Sequence, residues 1–297
     1  IISPVDGQIL AAQSSGGKPS DGRVTQRIRT GWGVRAAEYG FLNFNQDTLN
    51  VSYQVPDAAF RRYNDGFGYR TADIDALKKW REKSRQSAFQ LAVKAGQSQA
   101  QLDAAVAAAA RDYDAKLNAY MASKGFRIDK GNVVRVDMPA IVRENGPAIK
   151  PLSLTLESIA AQRHYRSSDI IGAGLSLVQT ALHYRQPDPV YNGKHTGGIL
   201  PPITSLLLGW GDCDTKTGVL ASLLSNWAQM RMIGFSVPGH YLMAVLQIPD
   251  KGDMFIEYMG LQYILLEPAG PAWLPPGRVA EETVDQMTDN QEIITGV

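Results

Sequence analysis

The spacing of apolar residues changes several times along the 297-residue chain, and each change predicts a different kind of element. Residues 1 to about 25, with SSGGKPSDG, carry no periodic signal and read as an irregular lead-in. Across 25–69, aromatic and β-branched residues alternate with polar ones. VRAAEYGFLNF and TLNVSYQV predict two strands joined by a turn at 43–47, closed by Pro56 and Asn64-Asp65-Gly66. From residue 72 the spacing becomes helical. Leu77, Trp80, Ala88 and Leu91 share one face, then Leu102, Val106, Ala110, Tyr113, Leu117 and Tyr120 share another. Ser98 with Gln101 forms a capping-box pattern between the two, and Gly125 is a C-cap candidate, so 72–124 reads as an antiparallel helical hairpin.

Strand signals return at FRID and VVRVDM, around Lys130-Gly131-Asn132. Pro139, Pro147 and Pro151 then punctuate a connection. LSLTLESIAAQRHY is helical, and Ser168-Asp169 is positioned to cap IIGAGLSLVQTALHY, with Ile171, Leu175, Val178 and Leu182 on one face. Residues 185–205 are rich in Pro and Gly and read as loop. A helical run, VLASLL, comes next. MRMIGFSV, HYLMAVLQI, MFIEYM and QYILLE then predict consecutive short strands, with turns at Lys251-Gly252-Asp253 and Gly260. Helix followed by hairpin-connected strands is an α+β order, not an alternating βαβ one. The segments are therefore 1–71 (irregular and β-rich), 72–124 (hairpin), 125–150 (short strands and connection) and 151–297 (an α+β domain), with a boundary near 150. The N-terminal strands are also free to pack directly on the 151–297 domain.

Composition narrows the function classes. At 44% hydrophobic and 20% charged residues, the chain can bury a core. A formal net charge of +1 carries no basic signature for nucleic acid. One cysteine excludes an internal disulfide. That cysteine and four well-separated histidines argue against a structural metal site, so no cofactor or metal is expected. No apolar run reaches the roughly 18 residues that span a bilayer. The chain starts with Ile1 and not Met, which sets the expectation that any signal peptide or anchor lies outside this sequence. The charge cluster at 78–85 reads as a solvated face. The hairpin offers an arm for a protein partner that the sequence does not identify.

The candidate chemistry centres on GWGDCDTKTGVLASLL (209–224), which holds the lone Cys213. A glycine-rich acidic turn leads into the helical run, and Asp212 is placed to cap it. Cys213 then lies in the first turn, where unpaired N–H groups and the helix dipole favour a thiolate. A cysteine nucleophile needs a base, itself oriented by a third polar group. His240 opens an apolar strand, and Glu267 ends another, with Asp250, Asp253 and Glu257 as competing acids. Alone, each residue has a structural reading: core filler, strand-end histidine, strand-exit charge. Together, in that order and on those element types, they favour catalysis.

GDCDTKTGVLASLL resembles the nucleophile motif of the transglutaminase-like cysteine peptidase superfamily. GHYLMAV resembles its histidine strand, YILLEPAG its acid strand, and LVQTALHY (177–184) the helix end preceding its cysteine. The resemblance covers 152–273; the part before it resembles no family. The acid is Glu267 where the family more commonly has Asp, and Thr215 stands where an acidic residue is common. The resemblance implies a papain-like core, a nucleophile helix packed on an antiparallel sheet. It assigns Cys213 as nucleophile, His240 as base and acid, and Glu267 as the orienting group. Gln179, at the end of the preceding helix, is the favoured oxyanion donor beside the Cys213 N–H, with Trp210 as second candidate; helix packing of Gln179 and burial of Trp210 are the structural alternatives. His164, His183 and His195 read as surface or structural residues.

The function expected is a thiol hydrolase acting on a peptide, isopeptide or amide bond of a protein or peptide substrate through a thioester. A catalytically silent binding module and a protein-glutamine acyltransferase are the alternatives. The resemblance also implies export to the periplasm or medium, with the cytoplasm as the alternative location.

Overall fold

The computed structural model describes residues 24–289 and 293–296. Most of the lead-in at 1–25 falls outside them. In chain order the elements are β1 (Thr25–Gly31), β2 (Val34–Leu42), β3 (Thr48–Pro56), α1 (Asp57–Gly66), α2 (Thr71–Lys94), α3 (Gln99–Ala122), β4 (Phe126–Asp129), β5 (Val133–Val136) and α4 (Met138–Arg163). Next come α5 (Ser167–Ser176), a π-turn (Leu177–Ala181), β6 (His183–Tyr184), β7 (Val190–Tyr191), β8 (Lys194–His195), α6 (Pro202–Leu208), β9 (Trp210–Gly211) and α7 (Cys213–Leu224). The remainder is β10 (Met232–Val237), β11 (His240–Leu246), β12 (Phe255–Tyr258), β13 (Leu261–Leu266), α8 (Glu281–Asp289) and β14 (Ile293–Gly296). This is a mixed α+β protein whose larger sheets are antiparallel.

The chain divides into two compact units. One comprises Gly66–Asp137 and Asp188–Gly198. It holds the predicted helical hairpin, α2 and α3. The Ser98 N–H donates to Gln101 Oε1 at 2.8 Å, which is the back-bond of the capping box. The β4–β5 hairpin follows it. Tyr69 stacks on the His195 ring, whose Nε2 lies 2.8 Å from Thr71 Oγ1, so His195 has a structural part here.

The other unit holds the described residues up to Asp65, Met138–Pro187 and the chain from Ile199 onward. The β1–β3 sheet, set apart at 1–71 in the sequence segmentation, thus belongs to the unit that contains Cys213. Long-range bonds explain this. Tyr39 Oη donates to Leu206 O, Ser176 Oγ to Leu42 O at 2.6 Å and Tyr53 Oη to Ala148 O at 3.0 Å. The predicted 43–47 turn is made by Asn43, whose Oδ1 accepts from the N–H groups of Asn45 and Asp47.

Several elements differ from the sequence reading. β1 was not expected, because its TQRIRTG is mostly exposed and lacks an apolar face; it forms as a partner of β2. The connection expected at 139–150 is the first half of α4, which runs through Pro147 and Pro151. Ile141, Val142, Asn145, Ile149, Leu152, Leu156 and Ala160 are buried at helical spacing across both prolines. That burial outweighs the ladder bonds the prolines cannot make. α5 starts at Ser167, one residue before the expected Ser168 cap, and Asp169 accepts from the Arg166 N–H at 2.8 Å. α6 begins inside the stretch read as loop.

The centre of this unit is α7, buried over nearly its whole length from Thr215 to Leu224. Two of its threonines find partners on neighbouring segments. Thr215 Oγ1 accepts from the Leu200 N–H at 3.1 Å, and Thr217 Oγ1 donates to Tyr241 O at 3.2 Å. The sheet beside it has the order β12-β13-β11-β10-β14. One face carries Phe235, Leu242, Ala244, Tyr263 and Leu265, with Val279 and Met287 packed against them. Among the described residues, no helix is long and apolar enough to cross a membrane.

Candidate active site

Two glycines shape the turn before Cys213. Gly209 ends α6 with φ of +77°, a conformation L side chains rarely adopt. The Gln26 amide lies against it, donating to Gly209 O and Ala181 O at 2.7 Å each. At Gly211 a Cβ would come within 2.4 Å of Thr215 Cγ2, so this backbone approaches α7 too closely for any other residue. Asp212 caps the helix as its sequence predicts: Oδ1 accepts from the Thr215 N–H at 3.0 Å. Cys213 is the first residue of α7, so its N–H has no acceptor within the helix.

The histidine strand is fastened to this helix through one residue. Tyr241, next to His240, gives its carbonyl to Thr217 Oγ1 and its N–H to the Cys213 sulfur. The β11–β13 ladder begins only at Met243↔Leu266, so Tyr241 lies beyond it and its polar groups are taken up by α7. Glu267 follows directly after β13. Continuing the register, it stands on the sheet face shared by His240 and Leu242, a diagonal neighbour of His240.

The imidazole and the carboxylate meet: His240 Nε2 and Glu267 Oε1 are 2.6 Å apart. Glu267 is 3% exposed, and its second oxygen accepts from Thr283 Oγ1 of α8 at 2.9 Å. Thr283 escaped sequence reasoning because α8 is short and amphipathic and no motif links it to Glu267. Asp250, Asp253 and Glu257 take no part: Asp253 Oδ2 accepts from the Asp250 N–H in the turn after β11.

The thiol is placed differently from expectation. Cys213 is half-buried, and its sulfur lies 3.6 Å from Asp214 Oδ1, to which the thiol donates; its hydrogen bonds do not include the His240 ring. Burial first, then the charges of Asp214 and Asp212, raise the thiol well above its ordinary value, against the N–H groups of Tyr241 and Asp214. The helix position therefore does not by itself make a thiolate. Burial and two carboxylates work against it.

The surrounding groups are shifted as a set. Burial, then the charge of Asp214, pushes Asp212 up to about 7, against its hydrogen bonds from Thr215. Burial likewise raises Asp214, although His240 and the Cys213 thiol favour its charged form. Burial, the largest single effect, depresses His240, but Glu267, Asp214 and Asp212 together outweigh it, and the net direction is up. Tyr184 on β6, paired with Gly211 on β9, is pushed up to about 12 by burial and by the charges of Cys213, Asp212, Asp214 and Glu267. It ends the LVQTALHY stretch, where sequence reasoning assigned it no role, and is brought to the site by the parallel β6–β9 pair.

The two oxyanion candidates fare differently. Gln179 is 1% exposed, and its Nε2 donates to Glu267 O at 2.8 Å and Leu274 O at 3.0 Å, while Oε1 accepts from the Leu274 N–H at 3.0 Å. Both amide hydrogens are used, so Gln179 holds the chain that leaves the acid strand and has no donor left for a substrate. Trp210 is half-buried beside Cys213, with the Arg185 guanidinium 4.5 Å from its ring centroid. Among the described residues, no group of three His, Cys, Asp or Glu side chains is arranged to hold a metal ion. A separate cleft of about 460 Å³, lined by Phe44, Arg166, Asp169, Asp253 and neighbours, shares no residue with this site.

Compared with protein-family models, curated proteins and solved structures, the chain matches none.

Proposed function

We propose that this protein is a thiol hydrolase that cleaves a peptide, isopeptide or amide bond through Cys213, His240 and Glu267. The observation that carries the reading is the buried His240–Glu267–Thr283 chain of hydrogen bonds at the end of the strand whose next residue, Tyr241, is bonded to Cys213 itself. A structural histidine has no need of a buried carboxylate fixed at both oxygens. The order of elements, a cysteine-bearing helix followed by an antiparallel sheet carrying His and then acid, agrees with the resemblance to transglutaminase-like peptidases and a papain-like core.

The chemistry follows from which atoms are occupied. Nε2 of His240 is held by Glu267, which leaves Nδ1 to serve the thiol. The reaction requires the Cys213 side chain to turn away from Asp214 so that the thiol proton passes to Nδ1. The thiolate attacks the carbonyl carbon, and the Cys213 N–H stabilises the oxyanion, with Trp210 as the candidate second donor. The imidazolium, stabilised by Glu267, then protonates the leaving amine and leaves a thioester on Sγ. His240 next takes a proton from water, whose oxygen attacks the thioester. Acid product and free thiol are released, with the proton returned to sulfur.

The thiol bonded to Asp214 also supports a second reading, in which the fold is a silent binding module with a dormant cysteine. The two are separated by incubating the protein with a peptide and isopeptide library and following products by mass spectrometry, with Cys213→Ala as control. Cleavage that disappears in the control supports hydrolysis. Amine incorporation in place of cleavage points to acyl transfer, and no turnover with any substrate supports the silent module.

A further inference from the structure

Lys216 is the one buried cation on the cysteine helix, and the reaction above gives it no role. It is 0% exposed, and its Nζ makes no hydrogen bond among the described residues. The positions around it on α7 carry Thr215, Thr217, Val219 and Leu220, all equally buried. An apolar residue of similar length would avoid the cost of taking an ammonium out of water. Its surroundings indicate what offsets that cost. Asp212 lies four residues before it and Cys213 three, so both share its helix face one turn away. Tyr184 covers the same region, its ring centroid 5.8 Å from Nζ. The titratable groups near the amine are therefore Asp212, Cys213 and Tyr184. Asp214, beside them, is engaged with Cys213 and His240.

We propose that Lys216 is a positioning residue of the thiol site, a buried ammonium that keeps Asp212 ionised as the helix cap and stabilises negative charge on Cys213 from the helix side. The inference rests on Cys213 acting as a nucleophile. When the thiol proton passes to His240, the new negative charge on sulfur forms one helical turn from Lys216. The lysine exchanges no proton in this step. It offsets a charge that Asp212 and Asp214 oppose. Burial lowers Lys216 to about 7, against the charges of Asp212 and Cys213, so its cationic form depends on those two neighbours.

The test is Lys216→Met, with the pH dependence of iodoacetamide alkylation as readout. Cys213 is the only cysteine, so the label reports on it alone. The expected result is alkylation about ten-fold slower at and below pH 7, where Lys216 is cationic, with the two proteins converging at higher pH as the wild-type amine loses its proton. An unchanged profile in a folded variant overturns the proposal. A second measurement needs no change at Lys216: its ε-carbon is titrated by NMR in the wild type and in Cys213→Ala. The midpoint should fall by about half a unit or more when the sulfur is removed. A midpoint that ignores Cys213 overturns the proposal even if Lys216→Met does not fold. Both readouts follow the thiol and not turnover, so a lack of peptidase activity counts against the hydrolase reading and leaves this result to be decided on its own.

Discussion

His240 and Glu267, the first from the start of one strand and the second from the end of its neighbour, meet at 2.6 Å with the carboxylate almost wholly buried. A charged group so enclosed needs both oxygens satisfied, and Thr283 supplies the second bond. Glutamate reaches one methylene further than aspartate would. Its length is absorbed by the diagonal offset between residues 240 and 267.

Glu267→Gln keeps the shape and a hydrogen bond but removes the charge. His240, raised mainly by Glu267 against burial, should titrate at lower pH, which NMR of the ring protons will show. Turnover should drop on the order of 10²- to 10⁴-fold in kcat. The His240 contribution to stability is fully present below the ordinary imidazole value and is lost as pH rises through the raised folded value. The variant should lose that contribution at lower pH.

Asp214→Asn removes the acceptor that holds the thiol and one of the charges that raise it. Alkylation of Cys213 at neutral pH should speed up several-fold, with the midpoint moving down. If the rate is unchanged or falls, the dormant-thiol description is wrong.

Gln179→Leu tests a residue that sequence position alone made an oxyanion donor. Three hydrogen bonds of this buried side chain are lost, so unfolding free energy should fall by about 2–4 kcal/mol in denaturant titrations. Activity per folded molecule should stay within about ten-fold, whereas loss of a true oxyanion donor costs about 10²–10³-fold in kcat.

Lys216 predicts a pH dependence of stability. Its ordinary value of 10.5 falls to about 7 in the folded protein, so between these pH values the unfolded chain holds a proton the native state has lost. Stability contributed by this group therefore rises with pH across that window and is lost as pH falls towards 7. Asp212, raised from 3.8 to about 7, acts in the opposite sense: its contribution is lost as pH rises through that range. Chemical denaturation at pH 7 and pH 10 should show the rise, on the order of a few kcal/mol, in the wild type and not in Lys216→Met.

Local signals determined a good deal by themselves. The helical hairpin, the Asp212 cap, the Asn43 turn and the antiparallel β10–β13 run are all written in residues close together in the chain. Period, cap and turn chemistry need no distant partner. The pairing of His240 with Glu267 followed from the resemblance and not from strand order: β11 pairs with β13 and leaves β12 at the edge, whereas a simple meander would place β12 between them.

Tertiary structure alone decided the rest. A helix through Pro147 and Pro151 forms because one face is buried along its whole length. Gln179 spends its donors on Leu274 and the Glu267 carbonyl, contacts some 90 residues away in sequence. The state of Cys213 was the least legible. A helix N-terminus argues for a thiolate, but burial and the charges of Asp214 and Asp212 around the sulfur raise the thiol instead. Those terms depend on distances and desolvation, which no residue pattern records.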